Sequence, residues 1–218
     1  FTSNIRMNDI LGEPFINLTS PSLGEFSKNV KSTADFLLSA FALVALSPLL
    51  LIIATAVRLS STGPVIYKQQ RIGKNRKPFM IYKFRTMYTD AEKNGPELSS
   101  EGDSRITDIG RIMRKYRLDE LPQFWNVLKG DMSIVGPRPE REYYIEKIRR
   151  YAPYYSLVFQ VKPGITSWGM VKFGYASSIR QMVERTKFDL IYITNMSIAL
   201  DIKIMIYTVR TIFRGAGM

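Results

Sequence analysis

Hydrophobic and polar positions alternate with different periods along this chain, and each period predicts an element. From Phe36 to Val57 there is no charged residue. As a helix rising about 1.5 Å per residue, such a stretch matches a bilayer core about 30 Å thick. Ser47-Pro48 interrupts it near its midpoint. Pro48 deletes the bond to the Val44 carbonyl and its ring collides there, which predicts a kink, while the Ser47 hydroxyl can fold back onto a freed carbonyl. Lys28 and Lys31 precede the stretch, and Arg58, Lys68, Arg71, Lys74, Arg76 and Lys77 follow it. Basic flanks resist translocation, so both ends favour the cytoplasmic side. A helix that enters one leaflet, bends at Ser47-Pro48 and returns satisfies both observations; a spanning helix and a buried core helix are the alternatives.

Beyond Gly63-Pro64 the period shortens. Val65–Ile72 and Phe79–Met87 read as two strands around the turn-forming run from Gly73 to Pro78, which predicts a hairpin. Its interleaved aromatic and basic residues suit a nucleotide, or belong to an ordinary amphipathic hairpin with solvated cations. Residues 88–105 are polar and read as a mobile surface loop. Ile109, Ile112, Met113 and Tyr116 return at helical spacing behind Thr107 as N-cap. Further helices are expected over Glu140–Tyr151 and Leu200–Phe213, the latter amphipathic enough for a membrane interface or for core packing.

The next helix carries the candidate chemistry. In the stretch from Asp119 to Gly130, Asp119 suits the N-cap, Pro122 is tolerated in a first turn, and Leu121, Phe124, Trp125 and Leu128 form one apolar face; Gly130 can close it in the left-handed conformation. Asp119 and Glu120 would then lie at the positive end of the helix dipole, a setting that lowers carboxylate pKa values and attracts phosphate. Plain helix capping is the alternative. Just downstream, Pro137 and Pro139 hold Arg138 in a stiff loop, suited to presenting a planar fork to phosphate or to serving a simple surface turn.

Composition narrows the chemistry. The chain of 218 residues carries a net charge of +12, so anionic partners are expected: nucleotides, nucleic acid or an acidic membrane face. It contains no Cys and no His, which excludes thiolate and imidazole catalysis and the common zinc sites. Catalysis falls to Asp, Glu, Lys, Tyr or a hydroxyl, and a catalytic metal would be a hard, oxygen-liganded ion such as Mg²⁺.

These segments together carry a resemblance. Gly63-Pro64-Val65, Gln70-Arg71-Ile72-Gly73, Lys83-Phe84-Arg85-Thr86-Met87, Leu118-Asp119-Glu120-Leu121-Pro122-Gln123, Asn126 through Ser133 and Val135-Gly136-Pro137-Arg138-Pro139 are similar to the bacterial sugar transferase family, the monotopic phosphoglycosyl transferases. The resemblance runs from about Lys31 to the C-terminus. It implies an α/β fold, mostly helical with a small β-hairpin or sheet, plus an N-terminal re-entrant membrane helix kinked at Ser47 and Pro48. It divides the chain into a linker over 1–30 leading from an N-terminal region outside this sequence, a membrane helix over 31–60 and a catalytic domain over 61–218.

The implied reaction moves a sugar 1-phosphate from a UDP-sugar donor to a polyprenyl (undecaprenyl) phosphate acceptor, releases UMP and starts a surface glycan at the cytoplasmic face of the bacterial inner membrane. In that resemblance Asp119 is the nucleophile, Glu120 its partner acid at Mg²⁺, and Arg138, Lys83 and Arg85 the phosphate-binding cations; Asp119 and Glu120 are the metal-site residues. Membrane lipid is an expected partner, a homodimer a candidate assembly, and nucleic acid not a partner. UDP-glucose or UDP-galactose is the donor suggested by longer members. Ser167 and Lys172 depart from the family pattern near a turn that could shape the sugar pocket. A membrane-anchored nucleic-acid-binding module and a noncatalytic scaffold are the competing readings.

Overall fold

The computed structural model describes residues 7–10, 13–16, 24–93, 95–99 and 102–215. Strands β1 (Met7–Ile10) and β2 (Glu13–Ile16) pair antiparallel ahead of two helices, α1 (Glu25–Ala45) and α2 (Ser47–Ser60). Strands β3 (Ile66–Ile72) and β4 (Pro78–Phe84) follow, then helix α3 (Asp108–Lys115), helix α4 (Gln123–Leu128) and strand β5 (Ser133–Val135). The chain ends with α5 (Glu142–Tyr151), β6 (Gly164–Thr166), α6 (Trp168–Lys172), α7 (Ile179–Thr194) and α8 (Ile198–Phe213). The mostly helical α/β architecture is as expected. Helix α1 begins at Glu25, inside the expected linker, and half of that linker lies outside the described residues.

The apolar segment is two helices bent by 63° at Leu46. Ser47 Oγ donates to the Val44 carbonyl at 2.8 Å, the acceptor that Pro48 leaves without its usual partner. Among the described residues no single helix is long and apolar enough to cross a membrane, but the bent pair passes that test together. Phe36, Leu37, Phe41, Val44, Leu51 and Ile52 stand exposed around the bend. Both feet of the pair, however, are tied to the remainder of the fold. Lys31 Nζ lies 2.6 Å from Asp201 Oδ2, and Asp35 accepts from Ser133 Oγ at 2.6 Å and from Ile134 N at 3.3 Å. At the other foot, Ile53 and Val57 pack with Phe84 and Met113.

Among the described residues there are three two-stranded pairs: β1–β2 and β3–β4, both antiparallel, and a parallel β5–β6 pair. The β3–β4 turn holds Asn75 and Arg76 at positive φ. The β5–β6 pair is drawn tight by glycine: a Cβ on Gly164 would fall 2.1 Å from the Gly136 nitrogen, so nothing larger fits where the chain turns toward Arg138. The main core lies between α5, α7, α8 and the chain from Pro153 to Val161, around Ile145, Ile148, Tyr192 and Ile204. Tyr192 donates to Asp201 Oδ1 at 2.7 Å and to the Val135 carbonyl at 3.2 Å, joining α7, α8 and β5 to the foot of α1. In the expected loop over 88–105, Arg105 gathers the described residues, donating to Asp103, Glu97 and the Ala91 and Leu98 carbonyls.

Candidate active site

The chain reaches the acid pair through the end of α3. Thr107 caps that helix as expected, its hydroxyl accepting from Gly110 N at 3.0 Å. Past Tyr116, Arg117 adopts the left-handed conformation with φ 53° and ψ 24°, and Leu118–Glu120 form a single 3-10 turn. Helix α4 begins only at Gln123, with Pro122 in the N-cap position. Asp119 therefore does not cap the helix, and six residues of helix make too small a dipole to organise an anion site. The expected apolar face is also rotated: Gln123, Asn126 and Val127 are buried, and Trp125 is 53% exposed. Asn126 explains the rotation, accepting from Tyr82 N at 3.0 Å and donating to the Met80 carbonyl at 2.7 Å, so its amide substitutes for a missing strand beside β4. Gly130, at φ 82°, takes the expected left-handed turn after α4.

That docking of α4 on β4 sets the acids against Lys83. Its Nζ lies 2.6 Å from Glu120 Oε1, and Arg138 Nη1 approaches the same oxygen at 3.2 Å. Arg117 Nη1 faces Glu120 Oε2 at 3.6 Å. Asp119, also buried, makes no side-chain hydrogen bond among the described residues, though Lys83, Arg114 and Arg138 all act on its charge. Arg114 donates to Thr86 Oγ1 at 2.9 Å and to Ser99 Oγ at 2.9 Å. Lys83 and Arg138 thus meet the acids. Arg85 does not join them: its guanidinium donates to the Ser61 carbonyl at 2.7 Å, to Ser61 Oγ at 3.0 Å and to the Val57 carbonyl at 3.4 Å, at the foot of α2.

The two carboxyls part company electrostatically. Burial raises the pKa of Asp119, with Glu120 adding to the rise and Lys83 opposing it, so the expected depression does not occur there. Burial would raise Glu120 as well, but Lys83, Arg138 and Arg117 outweigh it and hold that carboxyl well below the ordinary range. Glu120 is a fixed anion that organises cations. Asp119 is the poorly solvated, more basic oxygen, the character a nucleophile needs.

Arg138 is itself braced from behind. Arg71 donates to the Pro139 carbonyl and to Glu140 Oε2, both at 3.1 Å, while Arg185 donates to Glu140 Oε1 at 2.6 Å. Glu140 thereby fixes the stiff loop between β3 and α7. Met170 Sδ lies 3.0 Å from Arg138 Nη1 and 3.6 Å from Arg117 Nη1. The sequence pattern assigns no role to Glu140, Met170, Asn126, Arg114 or Arg117. Glu140 follows directly on Pro139 and Asn126 sits in the helix just after the acid turn, but partners from β3 and α7 are far away in sequence.

Two carboxylates with hard oxygens are the number that Mg²⁺ commonly takes from protein when substrate phosphates complete its shell. Among the described residues no cluster of three or more acidic side chains offers a fuller cage. Asp119 and Glu120 are the residues of this site that would hold such an ion, together with oxygens from a ligand.

The chain is similar in sequence to known bacterial proteins. The chain is 43% identical over 188 residues to an Aeromonas hydrophila UDP-N-acetylgalactosamine-undecaprenyl-phosphate N-acetylgalactosaminephosphotransferase, covering 86% of this chain and 44% of that protein. It is 40% identical over 220 residues to the UDP-glucose:undecaprenyl-phosphate glucose-1-phosphate transferase of Escherichia coli K12, covering 99% of this chain and 47% of that one. A Caulobacter vibrioides protein of the same name is 39% identical over 187 residues, covering 82% and 68%. The chain thus spans about half the length of the first two relatives. The bacterial sugar transferase family matches residues 26–215, and the chain belongs to that family.

Proposed function

We propose that this chain transfers a sugar 1-phosphate from a UDP-sugar to undecaprenyl phosphate, with release of UMP, through a covalent intermediate on Asp119. The observation that carries the reading is the pairing of two buried carboxyls, Glu120 held by Lys83 and Arg138 and Asp119 without a side-chain hydrogen bond among the described residues, inside a ring of Lys83, Arg114, Arg117 and Arg138. The names of the relatives supply the donor and acceptor classes.

Asp119 Oδ attacks the phosphorus nearer the sugar, and the bond from that phosphorus to the bridging oxygen breaks. UMP departs with the oxygen and its electron pair. The phosphate oxygen of the polyprenyl acceptor then attacks the same phosphorus, and Asp119 leaves as a carboxylate. An anion can approach an anionic phosphate only where repulsion is cancelled, and Lys83 and Arg138 provide that charge from rigid supports. Mg²⁺ held by Asp119 and Glu120 would supply further neutralisation of the diphosphate.

The same reading makes the bent α1–α2 pair a re-entrant membrane element. Its two feet are tied to one body, by Lys31–Asp201 and Asp35–Ser133 on α1 and by Arg85 with Val57 and Ser61 on α2, so the apolar bend enters and leaves on the same side. That position would bring a lipid-borne phosphate and a soluble nucleotide to one site at the cytoplasmic face. Incubation with a panel of UDP-sugars, Mg²⁺ and undecaprenyl phosphate tests the reaction: one UDP-sugar should yield a lipid diphosphate sugar detectable by mass. No such product from any UDP-sugar would overturn it.

A further inference from the structure

Arg117 occupies a backbone position that favours a different residue. It follows the last turn of α3, with Tyr116 as the C-cap, and its N–H donates to the Arg114 carbonyl at 3.2 Å. At φ 53° and ψ 24° it fills the left-handed site that ends a helix, where glycine or asparagine costs least and a long side chain is strained. Nor is the side chain repaid by its contacts. Its Nε is buried with no hydrogen-bond partner among the described residues, its Nη1 stands beyond hydrogen-bond range of Glu120 at 3.6 Å, and its only sulfur contact, Met170 Sδ, is also approached by Arg138. Three cations, Lys83, Arg138 and Arg117, therefore converge on the single carboxylate of Glu120. Backbone strain together with an unpartnered buried donor beside a like charge marks a residue kept for a ligand.

Resting on the transferase reading, we propose that Arg117 is a further phosphate-binding residue, whose guanidinium takes phosphoryl oxygens that Lys83 and Arg138 do not reach. The shared chemistry is a phosphate anion, brought either by the nucleotide donor or by the polyprenyl acceptor. Lys83 and Arg138 already bond Glu120, whereas Arg117 has a buried Nε without a partner among the described residues and an Nη1 that stands 3.6 Å from Glu120, so its fork can turn to phosphate oxygens without first breaking a hydrogen bond to a carboxylate.

The test uses Arg117→Gly, which removes the fork while giving the backbone the residue it favours, with Arg117→Asn as a second variant that also tolerates the left-handed conformation. Thermal unfolding, UDP binding by calorimetry with Mg²⁺, and the KM for undecaprenyl phosphate are measured on each. The expected result is an unchanged or higher Tm with a roughly 10- to 100-fold loss in one affinity, the span of a charge-assisted hydrogen bond. Weaker UDP binding assigns Arg117 to the donor, and a raised KM for the lipid assigns it to the acceptor. Variants that keep both affinities overturn the inference alone, whatever their Tm. A parent protein that binds neither UDP nor the lipid phosphate overturns the transferase reading and this inference with it.

Discussion

Lys83 Nζ stands 2.6 Å from Glu120 Oε1, and both side chains are largely withdrawn from water. This pair spans β4 and the acid turn, so it is at once a structural strut and part of the charge around Asp119. Replacing Glu120 by Gln keeps the shape but leaves Lys83, Arg138 and Arg117 facing one another without their anion. We expect a stability loss of about 3 kcal/mol or more, the usual cost of stripping one partner from a buried pair, together with loss of turnover. Because the folded Glu120 carboxyl lies well below its ordinary value of 4.5, its contribution is full above that pH and lost only as pH falls through the folded value. Denaturant titrations should show a gap between parent and variant that is constant from pH 7 to about 5 and narrows only below 4.5.

Asp119 has the opposite sign. Its pKa is raised by burial, so ionisation costs stability as pH rises through the folded value, and the cost vanishes below the ordinary value of 3.8 where both states are protonated. Asp119→Asn should be inactive for want of the nucleophile, yet melt higher than the parent at neutral pH. The advantage should disappear near pH 3.5. A variant that melts lower at pH 7 would contradict the assignment of Asp119 as the strained member of the pair.

How much of this was legible beforehand differs by element. The kink was fully readable, because Pro48 and Ser47 act on their own local backbone and Val44 is their immediate neighbour. Thr107 and Gly130 likewise declared themselves through local capping chemistry. The acid turn was readable as a motif but not as geometry: the side chain of Asn126 reaches across to β4, rotates α4 and replaces a regular helix start by a 3-10 turn. Arg85 lies two residues from Lys83 in sequence, and strand alternation alone does not say that its Nη2 reaches the Ser61 and Val57 carbonyls. Burial of Asp119, which reverses the direction of its pKa shift, depends on the whole assembled site.

Arg85 supplies its own prediction. As a brace on the foot of α2, its replacement by Ala should leave buried carbonyls unpaired and lower stability by about 1–3 kcal/mol. The KM for the UDP-sugar should change less than twofold in the folded variant. A tenfold rise in that KM with an unchanged Tm would return Arg85 to the phosphate-binding set.

The membrane arrangement is open to labelling, since the chain has no native Cys. Lys31 and Ser61 are both engaged in contacts, so exposed neighbours make cleaner probes: Asn29→Cys before the bent pair and Thr62→Cys after it. An impermeant thiol reagent should modify both from the cytoplasmic side of inverted vesicles and neither from outside intact cells. Modification of the two positions from opposite sides would contradict re-entry and support a span.

The most direct measurement is a single-turnover experiment with the reactive UDP-sugar and Mg²⁺ in the absence of any lipid acceptor. The parent protein should release UMP in an amount not exceeding one per chain, gain the mass of one sugar phosphate on Asp119, and lose that mass when undecaprenyl phosphate is added; Asp119→Asn should do neither. UMP release that requires the lipid from the start, with no mass gain on the protein, would contradict a covalent intermediate and point to direct transfer between the two substrates.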